Sequence, residues 1–444
     1  MHSLKQFWRN LRTSLWFVPS LIVAISIALA MALLEADAAV GDRWLARWPR
    51  LFGADAAGAR AMLSTIASSM MTVMGVTFSM TLVTLVLASS QYTSRILRNF
   101  IRDRVTQVVL GIFSGAFTYC LIVLRTVRGG EEAGFVASVA VTFGVVFAIG
   151  GIGALIYFIH HIATSIQASS IVAAVADETM AAVDRLFPSR LGHAPTDDDE
   201  PPPPLSQQRW LAVPAACNGY IESVDNELLL RLAREHKTIV RMERGIGKFV
   251  VHGGPLASLA LEAPPDDQIV AAVQAAYSIS RHRTLRQDCA FGIRQLVDIA
   301  LRALSPSMND TTTAVMCVDY LTAILARVAA RDIPASHRYE DGKLRIIAIG
   351  PTFASLVAQS FDQIRGSAAG NVSLMLRMVD SLQTLASLTT SPIQLQALRD
   401  QVQWIADLAD RTIESPHDRA RFEQRLPRAL EGLEMPPLNA AALR

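Results

Sequence analysis

The stretch whose reading decides the fold is MLSTIASSMMTVMGVTFSMTLVTLVLASS, Met62 to Ser90. No charged side chain occurs between Arg60 and Arg95. An uncharged helix of roughly 34 residues is about 50 Å long, against a hydrocarbon core of about 30 Å, so it spans a bilayer with length to spare. Hydroxyls are unusually dense in it: Ser64, Thr65, Ser68, Ser69, Thr72, Thr77, Ser79, Thr81, Thr84, Ser89 and Ser90. At about 100° per residue, Ser68, Thr72, Gly75 and Ser79 share one stripe, while Thr77, Thr81, Thr84 and Ala88 share a second that faces roughly the other way. Protein or water is therefore expected on two sides. Two readings stay open. Either the small residues let neighbouring helices pack closely, with cross-helix hydrogen bonds averaging about 0.6 kcal/mol, or Ser68, Thr72, Gly75 and Ser79 line a pore or cavity.

Beyond Ser90 the helical pattern continues through residues 94–104, with Ile96, Leu97, Phe100 and Ile101 on the apolar side and Arg95, Arg98 and Arg102 on the other. No Pro or Gly follows Gly75 in this run, so residues 62–104 read as one helix leaving the membrane. Its basic collar of Arg95, Arg98 and Arg102 sits at phosphate level, where anionic lipid or an anion is the expected partner.

Composition agrees with a membrane class. Of 444 residues, 51% are hydrophobic and 18% charged, with a formal net charge of +2, and the mean hydropathy is +0.31. The apolar excess sits in the first third, and no basic block with interleaved aromatics suggests a nucleic-acid partner. Cys120, Cys217, Cys289 and Cys317 are far apart and form no CxxC pair, so neither a zinc site nor a disulfide framework is expected.

Four spans can be drawn, at about residues 15–34, 62–90, 105–124 and 135–159. The first has a basic flank (Lys5, Arg9, Arg12) that imitates a secretory signal, but its apolar run is long for one, and a retained anchor is the preferred reading. Loop 91–107 holds Arg95, Arg98, Arg102 and Arg104 with a single acid, whereas loop 125–134 balances Arg125 and Arg128 with Glu131 and Glu132. The positive-inside rule then places both termini on the cytoplasmic side of the membrane. The fourth span ends at His160-His161. Adjacent residues point about 100° apart on a helix and chelate one ion poorly, so interfacial anchoring is the simpler reading and a pH-sensing pair the sharper one.

The expected organisation is a four-helix transmembrane domain (1–164), a helical extension (165–187), an acidic and Pro-rich linker (188–209), a small β-rich module (210–263) and a mainly helical domain (264–444). The module's order of strand, short helix, strand, Gly turn and strand resembles a barrel-sandwich of the biotinyl or lipoyl kind, without a lysine presented for modification. In the last domain, helices are expected at 268–280, 289–304, 311–330, 351–364, 370–387 and 393–413, with a strand at 344–349. The loop Leu304-Ser-Pro-Ser-Met-Asn-Asp310 separates two of them. Asn309 or Asp310 is placed to cap the second helix. The alternative makes Ser305, Asn309 and Asp310 ligands for a cation or a partner backbone.

Three blocks carry a resemblance: Thr77-Phe-Ser-Met-Thr-Leu-Val with Leu87-Ala-Ser-Ser-Gln-Tyr and Arg95-Ile-Leu-Arg-Asn-Phe; Phe158-Ile-His-His-Ile with Ser165-Ile-Gln; and the run from Ala290 to Asp310. Together they resemble the bacterial predicted-membrane-protein family known as domain of unknown function 2254. That family usually reads Gly-Ile-Asn-Asp-Pro after the Ser-Pro pair, where this chain has Ser307, Met308 and Thr311. The resemblance implies membrane class and topology and no established activity.

No nucleophile elbow, HExxH, phosphate loop or paired intramembrane carboxylate occurs, so neither an enzyme nor a cofactor or metal is expected. Four helices are too few to enclose a pore, so the leading expectation is a homo-oligomeric channel lined by the second helix. The alternative is a membrane-anchored scaffold or sensor whose cytoplasmic domain binds a ligand or protein.

Overall fold

The computed structural model describes residues 16–39, 56–91, 103–127, 137–186, 204–206, 208–285, 287–331, 336–431 and 433. It divides into two compact units, Met1–Ser170 and Ile171–Arg444.

The described residues of the first unit form four apolar helices, α1 (Phe17–Ala39), α2 (Ala56–Gln91), α3 (Arg104–Thr126) and α4 (Ser138–Ser165). Glycine sets how closely they approach. A Cβ on Gly111 of α3 would lie 2.5 Å from Ile22 Cδ1 and 3.2 Å from the Pro19 backbone, and one on Gly115 would lie 2.5 Å from Ser26 Oγ. This small-xxx-small pair lets α1 and α3 meet nearly backbone to backbone. On the other side of the unit, Gly144 and Gly151 of α4, one heptad apart, lie against Leu63 and Met70 of α2, also one heptad apart. Phe113, Tyr119 and Phe158 fill the interior, and Tyr119 meets Phe147 edge-on at 5.0 Å.

The helix expected to run unbroken from residue 62 to 104 does not do so. Asp103 is extended (φ −61°, ψ 114°) and caps a new helix at Arg104. An Asp side chain that bonds its own following amides competes with helix continuation, which is why the chain breaks without Pro or Gly.

In the second unit, α5 (Ala168–Leu186) packs on α8 (Cys289–Ala303), where any Cβ on Gly292 would collide with Thr179. The β structure comprises β1 (Trp210–Pro214), β2 (Gly219–Val224), β3 (Val240–Met242), β4 (Phe249–Val250), β5 (Pro255–Ala260), β6 (Tyr277–Ser280), β7 (His337–Glu340) and β8 (Lys343–Ile347). They form a five-stranded sheet of order β1-β5-β3-β8-β7 and a three-stranded sheet of order β4-β2-β6. β3 and β8 pair in parallel. The sheets thus take in β6, β7 and β8 from beyond residue 263. The expected helix 268–280 ends early: α7 (Asp267–Ala275) gives way to β6, because Tyr277 and Ile279 alternate as strand residues against β2. Between β2 and β3 lies α6 (Asn226–Glu235), as expected.

A helical bundle completes this unit: α8, α9 (Thr311–Ala329), α10 (Phe353–Gly366), α11 (Val372–Ala386), α12 (Pro392–Thr412) and α13 (Pro416–Glu431). Among the described residues five helices are long and apolar enough to cross a membrane, and α9 is the fifth, beyond the four spans drawn from sequence. It is a core helix of the bundle, with Cys317, Val318, Leu321, Ile324, Leu325 and Val328 buried. Arg327 and Arg331 at its end share Asp184 of α5, at 2.6 and 2.8 Å.

Candidate functional site

The faces of α2 separate cleanly. Leu63, Ala67, Met70, Thr77 and Thr84 are buried, Thr77 completely. Thr77 and Thr84 of the second hydroxyl stripe therefore lie inside the bundle, with Thr81 half-buried. Ser68, Thr72, Gly75 and Ser79 lie on the opposite side and are all exposed, and a Cβ on Gly75 would meet nothing within 4 Å. Ala61 and Thr65 are exposed on the same line. From Ala61 the positions advance by alternate steps of four and three, which is the seam spacing of a coiled coil, with a small residue at each step.

The threonine protons are spent within α2 itself. Thr65 donates to the Ala61 carbonyl at 2.7 Å and Thr72 to Ser68 at 3.0 Å, while buried Thr77 and Thr84 donate to Met74 and Met80, both at 2.9 Å. These hydroxyls need no outside acceptor, so burial of the second stripe costs little.

The two ends of this unit are closed by charged side chains. Where α1 ends and α4 begins, Asp37 accepts from the amides of Val139 at 3.1 Å and Ala140 at 3.0 Å. Beside it the Tyr119 hydroxyl donates to the Ala140 carbonyl at 2.7 Å. Arg60 of α2 donates through Nε and Nη2 to the Val127 carbonyl past α3, at 3.1 and 2.7 Å. At the opposite end, Asp103 accepts from the Val105 and Thr106 amides, at 3.2 and 3.1 Å, and from the Thr106 hydroxyl at 2.6 Å. His161 Nε2 lies 3.0 Å from Asp103 Oδ2. A carboxylate only accepts, so Nε2 carries the proton in this contact. Tyr157 stacks on the His161 ring at 6.2 Å.

The histidine pair is thus divided, His161 holding α4 to the start of α3 and His160 exposed. Among the described residues no group of three His, Cys, Asp or Glu side chains comes together to hold a metal. Arg95, Arg98 and Arg102 lie outside the described residues. In the 304–310 loop, Asp310 caps α9 by accepting from the Thr313 amide at 3.0 Å and its hydroxyl at 2.5 Å, and these bonds hold its carboxyl below the usual range. Asn309 takes the left-handed conformation (φ 46°) that the turn needs. The Ser305 hydroxyl donates to Arg302 at 2.7 Å. The loop's groups are engaged in shaping the turn.

Sequence reasoning passed over Asp37, Arg60, Asp103 and Tyr119, and also a buried pair in the second unit. There Asp288 caps α8 through the Phe291 amide at 2.9 Å and pairs with Arg283 at 2.8 Å. Burial pushes its carboxyl up, and the neighbouring Arg283 pulls it back only in part. Gly247, at φ 79°, leaves this pair room that any side chain would fill. One missed signal was legible, the Gly111-x-x-x-Gly115 spacing. The Asp37 and Asp103 caps were not, because the first acts on a helix distant in the chain and the second on a break that nothing else marks.

Comparison with known proteins places these features in a group. A family profile described as predicted membrane protein (DUF2254) matches residues 12–384. An uncharacterized protein of Mycobacterium bovis is 32% identical over 438 residues, covering 96% of this chain and 82% of the relative. An uncharacterized protein of Mycobacterium tuberculosis matches with the same identity and coverage. No solved structure matches the chain at a significant level.

Proposed function

Since the chain belongs to the DUF2254 family of predicted membrane proteins, we propose that α1 to α4 cross a bacterial inner membrane, both termini inside, and that several copies gather with the open stripe of α2 facing a common axis. One observation carries this reading. Ala61, Thr65, Ser68, Thr72, Gly75 and Ser79 form a small-residue seam that points directly away from the helix's own packed face. Lipid contact gives no reason for a small residue at each seam step, four of the six bearing hydroxyls, whereas close approach of identical helices or a water path does. Copies set around this seam enclose a conduit, with Arg95, Arg98 and Arg102 as a basic mouth favouring anions or anionic headgroups.

The test is direct. In a Cys217→Ser background, Ser68→Cys and Ser79→Cys are expected to cross-link between copies in native membranes. Purified protein is expected to pass unitary currents in a planar bilayer, with conductance altered by Thr72→Val. A chain that stays monomeric and silent under voltage, tension and pH steps ends this reading.

The second reading, an anchored scaffold or sensor, draws on the second unit's separate core, in which Val213, Ile221, Leu229, Val240, Leu256 and Leu259 are buried. The barrel-sandwich likeness belongs with this reading as a binding module, since β1 to β4 follow the expected order.

A further inference from the structure

The three-stranded sheet of the second unit has one face turned to the core and one left bare. Along β4 and the next residue, exposure alternates: Phe249 is 52% exposed, Val250 3% and Val251 60%. On β2, Ile221 is buried and Tyr220 is half-buried. The register sets Tyr220 across from Phe249 on one side and Ser280 on the other, and the Tyr220 and Phe249 rings meet edge-on at 5.0 Å. An exposed phenylalanine and valine, with a half-buried tyrosine between the strands, thus line a face whose reverse is core.

The charges around this patch are of one usable sign. Lys248 precedes Phe249 and Arg281 follows Ser280, and both are exposed. Glu222, the acid on β2, is already engaged, accepting from Thr284 at 2.9 Å and, more distantly, from Ser278 at 3.5 Å. Lys248 also acts on the nearby Asp288 carboxylate, but its side chain is exposed, and exposed apolar side chains flanked by exposed cations fit a surface that is anionic outside and apolar just beneath, since the cations reach phosphates while the rings enter the headgroup boundary. A folded partner would have to supply both an apolar socket and acids at this spacing, whereas an anionic bilayer offers them everywhere. The chain also leaves the last helix of a membrane-protein unit directly into this one, so a bilayer is always within reach of its tether.

We propose that the outer face of this sheet, Tyr220, Phe249 and Val251 flanked by Lys248 and Arg281, rests on an anionic bilayer surface. The claim is independent of whether α2 lines a conduit.

The full chain carrying Cys217→Ser and Val251→Cys, labelled with an environment-sensitive fluorophore, is reconstituted into vesicles of phosphatidylcholine alone or mixed equally with phosphatidylglycerol. Both compositions are prepared with and without a headgroup nitroxide quencher. The expected result is a blue-shifted emission, quenched by the nitroxide, in the anionic vesicles only, and reversed by added salt. Lys248→Glu with Arg281→Glu is expected to abolish the quenching while the label remains attached and the protein folded, as circular dichroism reports. Solvent-like emission in both compositions overturns the proposal. So does a blue shift that no lipid quencher touches, which assigns the face to protein. Leu388→Cys, exposed in the helical bundle, serves as the labelled control that stays unquenched.

Discussion

Asp37 closes the N-terminus of a helix a hundred residues further along the chain, its carboxylate accepting from the Ala140 amide at 3.0 Å. Its other oxygen takes the Val139 amide, and the side chain is only 7% exposed. Hydrogen bonds to a charged group contribute about 1.5–3 kcal/mol each, and an acid at a helix N-terminus adds to this through the dipole. Asp37→Ala is therefore expected to lower the thermal midpoint of the detergent-solubilised chain clearly, and Asp37→Asn by less, since the amide oxygen still accepts one bond. Equal midpoints for all three proteins would show that water caps α4 equally well.

The glycines of the first unit divide into two kinds. At Gly115 an added side chain meets Ser26 at 2.5 Å, whereas at Gly153 it meets nothing within 4 Å. Gly115→Leu is expected to part α1 from α3, measured as lost protection from protease in detergent. Gly153→Ala is expected to leave an isolated copy within about 0.5 kcal/mol of the parent. If Gly153→Ala instead reduces cross-linking between copies, α4 contributes to the intersubunit seam.

Two aspartates in the second unit give opposite pH dependences. The Asp310 carboxyl is held below its ordinary value by the bonds to Thr313. Its contribution is present above the unfolded value of about 3.9 and is lost as pH falls through the lower folded value. Asp288 is pushed up by burial. Its folded form therefore holds the proton more tightly, and the cost of ionising it grows as pH rises from the unfolded value through the folded one. Asp310→Ala, which removes a cap worth about 1 kcal/mol, should flatten the loss of stability below about pH 4. Removing the Asp288 side chain should act in the other direction, although it also strands Arg283 and costs about 3–5 kcal/mol. Thermal melts of the parent and the Asp310 variant between acid and neutral pH check the sign.

Asp103 does two things, and substitution separates them. It caps α3 and it holds His161. Asp103→Asn keeps an oxygen for the Thr106 amide but loses the charge facing His161, whereas His161→Phe spares the cap. His161→Phe is expected to loosen the end of α4 with little change in α3, read as faster amide exchange confined to residues near 161. Exchange that spreads through the start of α3 would mean that the histidine supports the cap itself.

Much of this architecture was legible in periodicity. The two hydroxyl stripes of α2 are real and face opposite ways, and the bounds of β2 and α6 follow from alternation and from Asp225 as a cap. Asp310 was readable because its bonding partners lie three residues away. What stayed hidden acts at long range. Asp37 on Ala140 and Arg60 on Val127 join segments whose separation no local pattern encodes, and β8 reaches β3 only after a helical detour. The break at Asp103 was missed because its neighbours keep a helical pattern of apolar residues, so one side chain decides against the run. The length and apolarity of α9 fit a membrane span, and only its place among α8, α10 and α11 shows it as an interior helix.

At that rim of the bundle the start of α4 is answered by the Asp37 carboxylate and the end of α3 by the Arg60 guanidinium, each a fixed counter-charge from a neighbouring helix. Engineering this rim should therefore alter how firmly the bundle holds together.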